Sequence, residues 1–228
     1  MVVFVTLLSI AITVGAYLLS KVAGKRYPSP LTTPVFFSTT LIIILLLILD
    51  INYDEYTPAK EIMTFLLGPA TVALAVPLYK NRAIIQKHSI PAILGLVFGT
   101  LSTIISAVIL AKLLNLSHEI IASSSVKSVT VPVAVEVSSI IGGDPALTAA
   151  FVVATGILGT ILGPWLMNVT RITNPLSRGL ALGTISHGQG TAQAATEGEL
   201  QGAIAGVAMG LSAIFTAIIA PIIVPFFL

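Results

Sequence analysis

The sequence predicts an all-α protein, a polytopic transmembrane helical bundle with interrupted or re-entrant helices and an inverted repeat. Composition is the first ground: 56% of the residues are hydrophobic, 9% are charged and the mean hydropathy is +1.04. An ordinary soluble domain carries about 25% charged residues. The second ground is run length: uncharged stretches such as 2–20, 31–49 and 200–228 match the ~20 residues a helix needs to cross a bilayer. The third is that prolines, glycines and polar side chains gather inside a few of these apolar segments, where irregular backbone is tolerated only against protein or water.

The same composition narrows function. There is no cysteine, so neither disulfides nor thiolate metal sites arise. A net charge of +2 is too small to argue for nucleic acid. His88 and His118 sit at segment ends, not at metal-ligand spacing with each other or with His187, and no Gly-rich phosphate loop runs into a Lys-Ser/Thr pair. No metal, no cofactor and no enzyme activity is expected, and ATP-driven pumping has no support. The N-terminus lacks a basic n-region and its apolar run exceeds a signal h-region, so it reads as a retained span.

About eight hydrophobic segments make up a single integral-membrane domain over 1–228: 2–20, 31–49, 60–79, 90–114, 118–141, 145–168, 178–196 and 200–228. Lys and Arg accumulate on the cytoplasmic side. Lys21, Lys25 and Arg26 therefore place the first loop inside, the acidic second loop (Asp50, Asp54, Glu55, Glu61) reads as external, and Lys80, Arg82 and Lys87 return the third inside. Simple alternation then fails, because Arg171 and Arg178 would fall outside. If 118–141 dips in and returns, both arginines become cytoplasmic, with Glu197 and Glu199 external.

An internal similarity supports paired halves. The run 92–109, with Gly95 and Gly99, resembles 203–219, with Gly206 and Gly210, and the charge-derived topology turns the two opposite ways. Inverted repeats with broken helices are the usual build of secondary transporters. The Gly-xxx-Gly pairs let helices approach closely and read as intramolecular packing.

Three polar stretches carry the chemistry. In 123–136 a lysine, hydroxyl side chains and a proline lie mid-segment. A charge at a helix centre in lipid costs roughly 2.5–3.5 kcal/mol on insertion scales, so Lys127, with Ser128 and Thr130 beside it, is read as part of a pocket for a small anion. Pro132 interrupts the helix and frees backbone groups. Glu136 pairs with Lys127 only if the chain folds back at Pro132; a solvated loop carboxylate is the preferred reading, as for Asp144. In 179–194, Thr184, His187 and Thr191 share one helical face. Gly188 and Gly190 weaken the helix there and bare N–H groups, and His187 is a donor or a carrier of a coupled proton. In 69–80, Pro69 and Pro77 are further helix breaks. Thr71 either offers a hydroxyl to the pocket or bonds its own backbone.

At these stretches the chain resembles the LrgB/CidB family of bacterial membrane proteins, which includes the C-terminal half of the plant plastid glycolate/glycerate translocator. The matching residues run 69–71 and 77–80 (Pro-Ala-Thr, Pro-Leu-Tyr-Lys), 127–134 (Lys-Ser-Val-Thr-Val-Pro-Val-Ala), 174–184 and 187–192 (His-Gly-Gln-Gly-Thr-Ala). The resemblance covers essentially the whole chain. It implies a multi-pass protein of the bacterial plasma membrane, named antiholin-like and linked to murein hydrolase control. Other members are similar to carriers of pyruvate, glycolate or glycerate, and a small LrgA/CidA-type membrane protein is an implied partner. The expected function is a secondary transporter of small monocarboxylates, holding a small organic anion between broken helices at mid-membrane. The alternative is a holin-like or antiholin-like regulator of lysis that works as a homo-oligomer in the lipid bilayer.

Overall fold

The computed structural model describes residues 2–27, 32, 34–73, 75–80 and 82–228. Among these residues the chain is helical and contains no strand, and it divides into two compact units, Met1–Ala73 and Leu74–Leu228. It is a multi-pass membrane protein: helices over 2–26, 89–113, 145–169 and 199–223 are each long and apolar enough to cross a bilayer.

The first unit comprises α1 (Val2–Arg26), α2 (Pro34–Ile48) and α3 (Tyr53–Ala73). Tyr56 on α3 reaches α1 through its hydroxyl, 3.0 Å from Thr13 Oγ1, a polar tie between the two helices. α3 continues through Pro69, which corrects the expected break there. The proline falls in the last turns, where it removes one backbone hydrogen bond and the helix ends four residues later in any case. Thr71 is part of α3, but its side chain lies outside the described ones.

The second unit opens with two short helices, α4 (Ala75–Lys80) and α5 (Arg82–Lys87). Pro77 stands in the first turn of α4, where a proline is tolerated because its missing N–H had no partner; its side chain is not described. Then come α6 (Ser89–Leu113), α7 (His118–Ser125), α8 (Val131–Ile140), α9 (Pro145–Val169), α10 (Pro175–Glu197), α11 (Glu199–Ile223) and a terminal 3-10 turn, Val224–Phe227.

Two chain reversals organise this unit. Segment 118–141 is not one helix: α7 stops at Ser125, residues 126–130 are irregular, and α8 starts with Pro132 in its first turn. Pro132 thus opens the second helix and does not kink the first, since its fixed φ suits a helix start. α8 closes on Gly142, whose φ of 82° lets Gly143 N–H reach the Ser138 carbonyl at 2.8 Å. The chain has then come back to α7: Ser123 Oγ accepts from Asp144 N–H at 2.9 Å. A continuous helix would hold those residues roughly 30 Å apart.

The second reversal lies inside α10. Ser186 (φ −112°, ψ 15°) and His187 (φ 42°, ψ −130°) are non-helical, and the arm after them folds back on the arm before. Arg178 Nε donates to Glu197 Oε2 at 2.6 Å, so both ends of α10 lie together. The expected placement of Arg178 inside and Glu197 outside is corrected by that bond. Its physical reason is the fold-back, which no alternation of straight spans contains.

Because α10 returns to its starting end, α11 runs in the same direction as α6. Pro91 and Ala92 meet Ile204 around one cavity, and Lys112 Nζ lies 5.9 Å from the Phe227 ring at the other end. The windows 92–109 and 203–219 are therefore parallel, not opposed, which corrects the pairing expected from their similarity. Gly/Ala/Ile-rich helices share composition for packing reasons alone. The core that α6 shares with α7, α8, α9 and the terminal turn is apolar: Ile104, Val108, Ile121, Val126, Val137, Val152 and Val224 are all buried.

Candidate anion-binding site

The irregular stretch 126–130 projects Lys127 against the middle of α6. Its Nζ donates to the Thr103 carbonyl at 3.4 Å, a residue roughly 20 and 15 Å along the helix from its two ends at 1.5 Å per residue. Lys127 is half-buried and takes part in no ion pair among the described residues. Its stem and ammonium form one wall of a cavity of about 410 Å³, whose other polar side chains are Thr155 and Ser186. The remaining walls are apolar, supplied mainly by Leu158, Leu162 and Leu166 of α9 and by Leu182 and Ile185 of α10.

α9 gives α10 room to turn beside it. A Cβ built on Gly163 would lie 3.0 Å from Leu182 Cδ2, one on Gly156 2.8 Å from His187 Cε1, and one on Gly159 would overlap Ser186 Oγ. His187 is buried at the reversal, its Nε2 3.0 Å from the Val152 carbonyl. A carbonyl only accepts, so Nε2 carries the proton and donates, which leaves Nδ1 as an acceptor in the neutral ring.

The residues singled out from sequence divide between roles. Lys127 lines the cavity. Ser128 is buried beside it, and among the described residues its hydroxyl has no hydrogen-bond partner, nor has that of buried Thr184. Thr130 caps α8 by backbone only. Thr191 is spoken for, its hydroxyl donating to the His187 carbonyl at 3.0 Å. Gly190 packs one arm of α10 onto the other, where a Cβ would come 2.7 Å from Ser186 Cβ; Gly188 is exposed, with the nearest atom to a built Cβ at 3.9 Å. Glu136 is exposed on α8 and apart from Lys127 in the ion-pair pattern, and Asp144 caps α9 through Leu147 N–H at 2.6 Å. Thr155, Gly159 and Ser186 are site residues that sequence reasoning missed. Gly156, Gly159 and Gly163, spaced along one face of an apolar span, are the signal that marks where α9 receives another chain segment.

A profile of the LrgB-like family matches residues 13–226. The chain belongs to the LrgB-like family. It is 40% identical over 191 residues to the uncharacterized Bacillus subtilis protein YwbG, covering 84% of this chain and 85% of that one. With YxaC of the same organism it shares 39% over 195 residues, 86% and 85% of the two chains. With the holin-like protein CidB of Staphylococcus aureus it shares 32% over 188 residues, 82% of each. No solved structure matches it. Within this LrgB-like chain the irregular residues 126–130 overlap the polar block 127–134, and His187 of the second reversal opens the block 187–192.

Proposed function

We propose that this chain is a secondary carrier of small monocarboxylates of the pyruvate, glycolate or glycerate kind, seated in the bacterial plasma membrane, and that the anion binds between its broken helices. Lys127 carries the reading: an ammonium beside the middle of α6, on a cavity wall, with no carboxylate paired to it among the described residues. Such a charge is retained in an apolar bundle where something receives it, and one lysine balances one carboxylate. His187 at the other reversal is the candidate for a coupled proton. No reaction is assigned to these groups, and the activity is passage, not catalysis.

An inverted repeat fits this reading when drawn as 89–140 against 145–197, each a helix of 25 residues followed by a reversal and a return. At a spacing of 56 residues (152 − 96), buried Leu96, Thr100, Ile104 and Ala111 correspond to buried Val152, Gly156, Thr160 and Met167. Asn115 and Arg171 share that spacing and the same left-handed backbone, φ 52° and 58°. The two hairpins then enter the bilayer from opposite faces and meet at depth, with Arg171, Arg178, Lys80 and Lys87 on the cytoplasmic side. Glu197 and Glu199 join them there, paired with Arg178 and Lys80.

The holin-like reading is favoured by one observation, the name of the CidB relative. It calls for small-residue seams open to other copies or to an LrgA/CidA-type partner. Gly95 and Gly99 are instead taken up inside the unit, against Leu180 and Thr184, which favours the carrier, whereas Gly210 is exposed with no atom within 4 Å of a built Cβ, so the second seam stays open. Uptake of labelled pyruvate or glycolate by proteoliposomes tests the choice. Wild type should accumulate label and Lys127→Ala should not; equal uptake by the two removes Lys127 from the mechanism.

A further inference from the structure

Resting on the carrier reading, we infer that Gln189 is the positioning residue for the coupled proton, its side-chain oxygen receiving the Nδ1–H that His187 gains on taking up that proton. A Cβ built on Gly156 would overlap Gln189 Oε1 and lie 2.8 Å from His187 Cε1. Amide oxygen and imidazole edge thus share one recess in α9, left open by that glycine. Cε1 is bonded to both ring nitrogens, and Nε2 is committed to the Val152 carbonyl at 3.0 Å. Gln189 Oε1 is buried and has no hydrogen-bond partner among the described residues. A buried acceptor without a donor is costly. The neutral ring has one N–H and the imidazolium two, so a proton added at Nδ1 supplies the donor that the recess lacks. Both N–H groups then end on oxygen, and the charged form is held without a carboxylate.

Charge on the helices packed against α10 is sparse. α9 carries no ionisable side chain. α11 carries Glu199, paired with Lys80, and on α10 itself Arg178 and Glu197 satisfy each other. α6 contributes Lys112 in its last turn, over the Phe227 ring. The remaining charge is Lys127, whose cavity includes Ser186, the residue before His187. An imidazolium and that ammonium repel each other until a carboxylate lies on Lys127. Anion and proton therefore bind cooperatively, and each raises the affinity for the other by the same factor. An empty site sheds its proton and an occupied one keeps it, which ties passage of the anion to passage of the proton.

The chain has three histidines, and in a His88→Gln, His118→Gln background His187 is the sole imidazole. NMR of its labelled ring nitrogens in lipid nanodiscs follows protonation against pH, with and without pyruvate. Uptake of labelled pyruvate by proteoliposomes of the same proteins is measured over the same pH range. The proton should enter at Nδ1, with Nε2 protonated throughout, and pyruvate should raise the midpoint. Gln189→Leu should lower the midpoint by about one pH unit, a tenfold loss of proton affinity for one lost charge-assisted hydrogen bond. The uptake profile should move with it, and Gln189→Glu should shift both the other way. Lys127→Gln should raise the midpoint without pyruvate and abolish the response to it. Equal midpoints in wild type and Gln189→Leu, with only the melting temperature changed, would make Gln189 a packing residue and overturn the inference. A midpoint that rises in Gln189→Leu would mean that the amide donates to the neutral ring, and overturns it too. Pyruvate uptake that ignores pH, with an unmoved midpoint, overturns it while leaving the carrier intact. The expected midpoints without pyruvate uptake would keep the proton site and remove the carrier reading.

Discussion

Arg178 and Glu197, nineteen residues apart on a single helical element, form a two-point ion pair, Nε to Oε2 at 2.6 Å and Nη2 to Oε1 at 3.0 Å. The guanidinium also donates to Asn168 Oδ1 and to the Ile172 carbonyl, both at 2.9 Å. One side chain thus joins the end of α9, the start of α10 and the end of α10. Both partners are largely shielded, with 11% and 15% of their side-chain surface exposed. The pair holds the hairpin shut at its open end.

Removing either partner takes charge-assisted hydrogen bonds from a part-buried group, a loss of about 1.5–3 kcal/mol. Arg178→Ala should be the more damaging change, since it also releases Asn168 and the Ile172 carbonyl. In a double-mutant cycle with Glu197→Ala the coupling should come out at roughly 1–3 kcal/mol. Thermal unfolding of the four proteins in detergent measures it. A coupling near zero would mean that the arms are held by helix packing alone.

The fold-back also predicts labelling. The chain has no cysteine, so single-cysteine variants need no altered background. Thr173→Cys and Thr196→Cys, exposed on either side of the hairpin, should react with an impermeant maleimide from the same face of the membrane. Asn115→Cys and Ser139→Cys should both react from the other face. Thr173 and Thr196 labelled from opposite faces would contradict the reversal at Ser186 and His187.

Gly159 leaves room for the Ser186 hydroxyl, and a Cβ there would overlap it. Gly159→Ala should therefore destabilise by about 1–3 kcal/mol, the usual cost of overfilling a packed site. Removing the hydroxyl with Ser186→Ala should recover most of that loss, because the next contact, Ser186 Cβ, lies at 3.0 Å and a small shift accommodates it. Melting temperatures of the two single variants and the double variant decide this. Additive losses would place the clash elsewhere.

His187→Ala opens a cavity and deprives the Val152 carbonyl of its 3.0 Å partner, a loss of about 1–3 kcal/mol for a buried group left unpaired. His187→Gln offers an amide N–H to the same carbonyl and should cost less than half as much. Comparing the stabilities of the two variants tests whether the imidazole holds α10 against α9. Equal losses would show that the hydrogen bond contributes nothing.

Much of this was legible beforehand for identifiable reasons. Long uncharged runs have few physical fates, and 90–114 and 145–168 emerge as α6 and α9 within a residue or so because burial in lipid and backbone pairing agree on a helix. The interruption near Lys127 was visible because a lysine, serines and Pro132 all disfavour an apolar helix there. Ser186 and His187 were harder. Glycines announced a weak helix, but a weak helix can kink, unwind or reverse, and local propensity does not choose among these. Similarity between 92–109 and 203–219 misled for a related reason, since packing of small residues produces like sequences in parallel and antiparallel helices alike.

The amino-acid sequence alone determined that this is an all-helical membrane protein of the LrgB-like kind, with an ammonium and an imidazole set at helix breaks. Composition, run length and residue order suffice for that, because the bilayer is an unforgiving solvent for anything else. Only the tertiary structure decided that α10 returns to its own start, that α6 and α11 run the same way, and that Lys127 faces an apolar cavity shared with Thr155 and Ser186 and not the hydroxyl of Thr191. Those outcomes depend on contacts between residues far apart in the chain, such as Arg178 with Glu197 and Gly159 with Ser186, and such contacts leave no periodicity in either segment taken by itself.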